Sequence, residues 1–170
     1  RGTFSRAFAI NNKREVAGQA DEIGVGSSST VEAGFIWTPA TRIRSFGPSS
    51  SKGFFTDINQ RGDVSGFTRV SPNSPRVLRR TADGVTSIGP TFGGRSSLGQ
   101  PVSVGYAIND NGFVVGDSLG SNQFDDRGFL WKPDTGEFVD LGTLGRTGFI
   151  NVFGVNNQNQ VVGGAPDPVL

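Results

Sequence analysis

The reactive side chains of this chain are carboxylates, guanidiniums and hydroxyls, because its 170 residues include no Cys, no His and no Met. Ser–His–Asp triads, cysteine nucleophiles and Cys/His metal centres are therefore excluded within it. Glycoside hydrolysis needs only two carboxyl groups, so it stays open. Asp57 is the candidate acid: it stands where related segments carry Ala or Gly, and crowding there would raise its pKa. No partner carboxylate stands at a predictable distance from it. Asp125 and Asp126, with Asp117 nearby, are candidate oxygen donors for calcium. Arg76, Arg79 and Arg80, with Arg69, form a candidate basic patch for a sulfated or phosphorylated glycan, held by forked hydrogen bonds. Each group also has a simpler structural reading, as an acid-solvated loop or a solvated strand face, and that reading is preferred.

These residues sit on a repeat. Ile10-Asn11, Ile58-Asn59, Ile108-Asn109 and Val155-Asn156 open four similar segments whose asparagines are 48, 50 and 47 residues apart. In each, a glycine follows seven residues later: Gly18, Gly66, Gly116 and Gly163. A period near fifty with several extended pieces per unit predicts a repeat architecture. Large residues at alternate positions before the asparagine predict a first strand. The three residues after the asparagine predict a turn whose last member is left-handed, supplied by Gly62, Gly112 or Asn159. Arg14 at that place is a strained departure. A second strand then leads to the closing glycine.

Variable Gly/Ser/Asn/Asp-rich segments (19–33, 67–75, 117–127) read as loops. A third strand follows, Gly34-Phe35-Ile36-Trp37 and Gly128-Phe129-Leu130-Trp131, with Arg76-Val77-Leu78-Arg79 as the degenerate copy in which Arg79 stands for Trp37 and Trp131. Its continuous apolar character predicts burial on both faces. Pro-containing turns then lead to fourth strands ending at Phe46, Ile88 and Leu141. Four short antiparallel strands per unit, apolar on both faces, predict an all-β, propeller-like repeat of about three and a half units. A β-trefoil or β-solenoid is the alternative. The units are 1–53, 54–104, 105–152 and the first hairpin of a fourth, 153–170, all in one β domain.

Composition agrees with this reading. Gly reaches 26 and Phe 14 residues, with 18% charged, as expected of turn-rich β structure. A formal charge of +1 supplies no global field toward nucleic acid or an anionic membrane. No apolar run approaches the roughly twenty residues of a membrane span. No signal peptide is visible and no Met opens the chain, which reads as a processed or excised piece of a longer protein.

Two motifs are absorbed by the repeat. Arg61-Gly62-Asp63 spells an integrin-adhesion tripeptide, yet it occupies the hairpin turn, where Gly serves the backbone. The repeated asparagine could line a ligand ring, but Asn also caps its own turn two residues on, and the structural role is preferred.

The joint pattern Ala107-Ile108-Asn109 to Gly116, then Gly128-Phe129-Leu130-Trp131, then Asp140-Leu141-Gly142-Thr143-Leu144-Gly145, resembles the HAF repeat of bacterial extracellular repeat proteins. The His-Ala-Phe of that family is replaced here by Ala33-Gly34-Phe35 and Arg127-Gly128-Phe129. Asp126 to Trp131 also half-matches the Asp-box of sialidase-like propellers, itself a structural turn. The HAF resemblance implies a secreted or surface-exposed bacterial protein and carries no catalytic residue.

The resulting expectation is a non-enzymatic scaffold or adhesion module whose loops bind glycan or protein. A fragment of a propeller glycosidase is the alternative, and so is a self-assembling structural protein that pairs through exposed strand edges as a homo-oligomer. No cofactor is expected beyond the calcium candidate.

Overall fold

The computed structural model describes residues 4–23, 30–46, 53–71, 74–97, 102–120, 126–142 and 150–165. They form only β-strands, in three four-stranded sheets and one two-stranded sheet, all antiparallel. The first sheet comprises β1 (Ser5–Ile10), β2 (Val16–Ile23), β3 (Thr30–Thr38) and β4 (Arg42–Phe46). The second comprises β5 (Gly53–Ile58), β6 (Val64–Ser71), β7 (Ser74–Arg80) and β8 (Thr86–Ile88). The third comprises β9 (Ser103–Ile108), β10 (Val114–Leu119), β11 (Asp126–Lys132) and β12 (Glu137–Gly142). The last is the hairpin of β13 (Asn151–Val155) and β14 (Val161–Gly164). Strand order follows chain order, so each four-stranded sheet is a simple meander, and none closes on itself among the described residues.

All four opening hairpins share one construction. The strand pairing skips a residue at Phe8, Thr56, Tyr106 and Phe153, leaving a β-bulge three residues before each asparagine. The bulge presses the first strand's backbone onto the second. A Cβ at Gly18, Gly66, Gly116 or Gly163 would overlap the carbonyl oxygen of Arg6, Phe54, Val104 or Asn151 respectively. The closing glycine thus answers a close backbone approach. The turn is left-handed where expected, with φ of 63° at Arg14, 94° at Gly62, 80° at Gly112 and 64° at Asn159.

Two sequence expectations change. First, strands extend into the segments read as loops: β2 and β3 stay paired as far as Ile23 with Thr30, and β10 and β11 as far as Leu119 with Asp126. Polar and small residues there carry a ladder whose hydrogen bonds are made by the backbone. Second, the register places Val16 opposite Trp37, Val64 opposite Arg80 and Val114 opposite Trp131. Arg80, not Arg79, therefore occupies the tryptophan position, and the third-strand motif of the second sheet is Val77-Leu78-Arg79-Arg80. Arg79 is the counterpart of Ile36 and Leu130.

Successive sheets pack face against face with one apolar cluster per interface. Ala17, Ile36 and Phe46 meet Phe55, Ile58, Val64 and Leu78 between the first and second sheets. Val77 meets Ile108, Val114, Phe129 and Trp131 between the second and third. Ala107, Val115 and Leu130 meet Val152, Val155 and Val161 between the third sheet and the last hairpin. The period of two along each strand sends alternate residues to the preceding and the following sheet.

The asparagines tie the interfaces together. Each Oδ1 accepts backbone N–H groups of its own turn: for Asn59 these come from Arg61 at 3.0 Å and Asp63 at 2.9 Å. Each Nδ2 then donates to the backbone carbonyl of the next repeat's asparagine. Asn11 to Asn59, Asn59 to Asn109 and Asn109 to Asn156 all measure 2.9 Å. A second rung lies one residue on: the backbone N–H of Asn12, Gln60 and Asp110 donates to the side-chain oxygen of Gln60, Asp110 and Asn157 at 3.0, 2.8 and 2.8 Å. Asn156 ends the ladder, is exposed, and turns its Nδ2 to Gln160.

Asn59 is 4% exposed, so Asn59→Ala strands buried backbone groups on two repeats. It should cost roughly 2–4 kcal/mol, each orphaned group contributing about 1–3. Asn156→Ala removes only exposed bonds and should cost less than half as much. Urea unfolding of the two variants measures the difference; equal losses would contradict a load shared between repeats.

Candidate functional site

Period two decides the fate of the candidate basic patch. Leu78 packs toward the first sheet and Val77 toward the third, so Arg80 and Arg79 leave β7 on opposite faces. Arg80 lies 4.4 Å from the ring centroid of Phe46 and donates to the Gly84 carbonyl oxygen at 2.7 Å. Arg79 is buried, contacts the Gly112 carbonyl at 3.4 Å and pairs with Asp134 at 3.0 Å. Arg76 donates to the Gly89 carbonyl at 2.5 Å. The three guanidiniums thus bind backbone or a neighbouring sheet and do not converge on one surface.

Asp57 takes part in the same inter-sheet business. Its Oδ1 accepts the N–H of Ile58 at 2.8 Å, and its Oδ2 accepts the N–H of Ile108, in the third sheet, at 2.9 Å. Burial holds its carboxyl above the ordinary carboxylate range, partly offset by those two donors. Thr56 adds a donation to the Gly105 carbonyl at 2.9 Å and shares a hydrogen bond with Ser65. Asp57, Ser65 and Arg79 therefore make polar the face that Ala9, Ala17 and Ile36 make apolar in the first sheet. Ala107, Val115 and Leu130 are the apolar counterparts in the third.

The Asp63 carboxylate of the Arg-Gly-Asp tripeptide is 5% exposed and fully engaged. It takes Arg61 at 2.8 Å and the Ala82 N–H at 3.1 Å. That leaves the turn, not an adhesion ligand, as its role.

The cluster with room for chemistry lies on the third sheet. Tyr106, the extra residue of the β9 bulge, is 40% exposed and hydrogen-bonds to Asp117 on β10. Asp126, at the start of β11, lies within electrostatic reach of both. Burial first, and then the Asp126 charge, push the Asp117 carboxyl up to about 7, against the N–H of Val152 and the Tyr106 hydroxyl. Burial and the two carboxylates push Tyr106 up to about 12. Asp117 Oδ1 accepts the Val152 N–H at 3.2 Å, so this carboxyl also docks the last hairpin.

Asp125 lies outside the described residues. Among the described residues no three Asp, Glu, His or Cys side chains converge as a metal site. The sequence carried Asp117 only as a neighbour of Asp125 and Asp126, and it missed Tyr106. Nothing in a single strand reveals that the residue after a closing glycine will be covered by the next hairpin. The sequence reading also missed the second rung, although its acceptors Gln60, Asp110 and Asn157 all follow a repeat asparagine and carry a side-chain oxygen.

Comparison of the chain with protein-family models, with curated proteins and with solved structures finds no match in any of the three.

Two outcomes are expected. Arg79→Leu should leave stability within about 1 kcal/mol of the parent or raise it, because a buried charge paired with a 66%-exposed Asp134 carries a desolvation cost that Leu lacks. Arg79→Ala should cost about 2–4 kcal/mol through the cavity. Chemical denaturation distinguishes them. For Asp117, the folded carboxyl near 7 holds a proton that the unfolded chain, near 3.9, has released. Its contribution is complete below about pH 4 and is lost as pH rises through about 7. Asp57 shifts in the same direction. Asp117→Asn should therefore flatten most, not all, of the decline in urea midpoint across that window.

Proposed function

We propose that this chain is a non-enzymatic repeat module, secreted or exposed on a bacterial surface, whose sheets stack as the blades of a propeller and whose variable edge binds glycan or protein. The carrying observation is the segregation of the two edges. In each meander the asparagine turn and the turn after the third strand share one edge, and there the repeat-to-repeat ladder consumes the polar groups. The connections after β2, β6 and β10 leave from the opposite edge, where length and composition differ between copies. Recognition in repeat proteins belongs on the variable side of a fixed framework. The likeness to HAF repeats supports the bacterial extracellular setting.

Asp126, which pairs with Leu119 at the end of β10, stands at that variable edge; Asp117 lies two residues further in, and Tyr106 reaches Asp117 from the bulge of β9. An amphipathic ring beside carboxyl acceptors suits a hydroxyl-rich ligand. The same trio favours one second reading, a glycosidase in which Asp117 is the proton donor, because a carboxyl near 7 beside another carboxylate is the acid such chemistry uses.

A glycan array probed with the parent chain, with Tyr106→Ala and with residues 120–125 replaced by a Gly-Ser linker tests the proposal. Bound glycans should lose at least tenfold in affinity in both variants, with no turnover. Binding that survives both changes would remove the variable edge as the site. Release of aryl alcohol from aryl glycosides, abolished by Asp117→Asn, would replace the binding reading with the enzymatic one.

A further inference from the structure

Asn111 is the only asparagine of the sequence that glycine follows. The pair forms the middle of the third repeat's turn, with Asn111 exposed and Gly112 left-handed at a φ of 80°. An asparagine before glycine is open to a reaction that needs no enzyme. The glycine nitrogen attacks the carboxamide carbon and closes a succinimide ring. The Cγ–Nδ2 bond breaks, and ammonia leaves with the proton of the attacking amide. Water then opens the ring at either carbonyl, giving aspartate or isoaspartate. A side chain on the following residue obstructs the attack, and glycine carries none.

The repeat asparagines are shielded from it. Asn11, Asn59 and Asn109 are buried and precede Asn12, Gln60 and Asp110. What holds Asn111 is the next repeat: its Nδ2 donates to the Asn157 carbonyl at 2.9 Å and to Asn159 Oδ1 at 3.1 Å. The Gly112 N–H meanwhile donates to the Asn109 carbonyl at 2.9 Å. While the two turns are docked, the carboxamide is committed to the last hairpin. An acid at position 111 keeps no donor for those two acceptors, and its charge opposes them at the same short distance.

We propose that Asn111 is a modification site, converted to aspartate or isoaspartate when the turns of the third repeat and the last hairpin part. The carboxylate formed there then opposes their re-docking. Loss of ammonia makes the change irreversible, so an opening that leads to it leaves a permanent mark. The site lies on the edge opposite the variable connections, and the inference stands whether or not a glycan binds there.

The test follows the full chain at neutral pH by peptide mapping and mass spectrometry, beside a synthetic peptide of residues 107–115. Amide-to-acid conversion in the folded chain should concentrate at Asn111 and run at least tenfold slower than in the peptide. Asn159→Gly removes one acceptor at a left-handed position that glycine fits, and should speed conversion at least threefold. In Asn111→Asp, the Asp110 amide, which donates to Asn157 Oδ1 at 2.8 Å, should exchange with solvent at least fivefold faster than in the parent. Equal rates in chain and peptide, no acceleration in Asn159→Gly, or unchanged Asp110 exchange in Asn111→Asp would each overturn the proposal. So would an Asn111 that stays intact in both chains while the peptide converts completely.

Discussion

A carboxamide that faces two ways holds this protein together. Its oxygen closes the hairpin turn of its own repeat, and its nitrogen reaches the same backbone position of the next. Asn puts an acceptor and a donor on separate atoms at this short reach: Asp lacks the donor, Ser and Thr carry both on one oxygen, and Gln is a methylene too long for the two-residue turn. Because the donor meets a backbone carbonyl, the link does not depend on what side chains the next repeat carries. The repeats can then diverge on their faces and on their opposite edge while the stacking distance stays fixed. The bulge and the closing glycine serve the same end, since they bring the first two strands together just behind the turn.

The three interfaces differ in how they use that freedom. At three matched positions of the face that follows each sheet, the first carries Ala9, Ala17 and Ile36 and the third Ala107, Val115 and Leu130, with Asp117 bonded to Val152 beyond them. The second places Asp57, Ser65 and Arg79 there: Asp57 and Arg79 bond backbone or a charge on the third sheet, and Ser65 shares a hydrogen bond with Thr56, which donates to the Gly105 carbonyl. Buried polar contacts of this kind contribute less stability than packed hydrocarbon and more discrimination between registers, because a shifted sheet leaves them unsatisfied. The departures of the middle repeat thus act between sheets and need no outside ligand to explain them. By contrast, burial holds the Asp117 carboxyl near 7 against the N–H that Val152 of the last hairpin donates to it, and Tyr106 beside it remains reachable from solvent.

Much of the fold was legible. The asparagine-to-glycine spacing marks each hairpin because turn and bulge geometry demand particular residues wherever they occur. The left-handed position was visible even at Arg14, through comparison with its counterparts. The third-strand register of the second sheet was not. Val77-Leu78-Arg79-Arg80 offers two arginines for one tryptophan position, and choosing between them requires knowing which residue stands opposite Val64. A slip of one residue exchanges the faces, so the candidate patch dissolved as soon as the pairing was known. The ends of the loops misread for a related reason: small polar residues pair through their backbones as well as apolar ones do when the partner strand continues.

The sequence by itself determined the all-β class, the repeat and the hairpin geometry, because these depend on local backbone requirements that recur in each copy. Only the tertiary structure decided what each departure from the repeat does. Whether Asp57 donates a proton or anchors a neighbouring sheet depends on the Ile108 N–H, fifty-one residues away. Whether Asp117 is an ordinary acid depends on a hairpin that begins more than thirty residues later. Burial and hydrogen bonding set a carboxyl's behaviour, and both are properties of what packs against it from elsewhere in the chain.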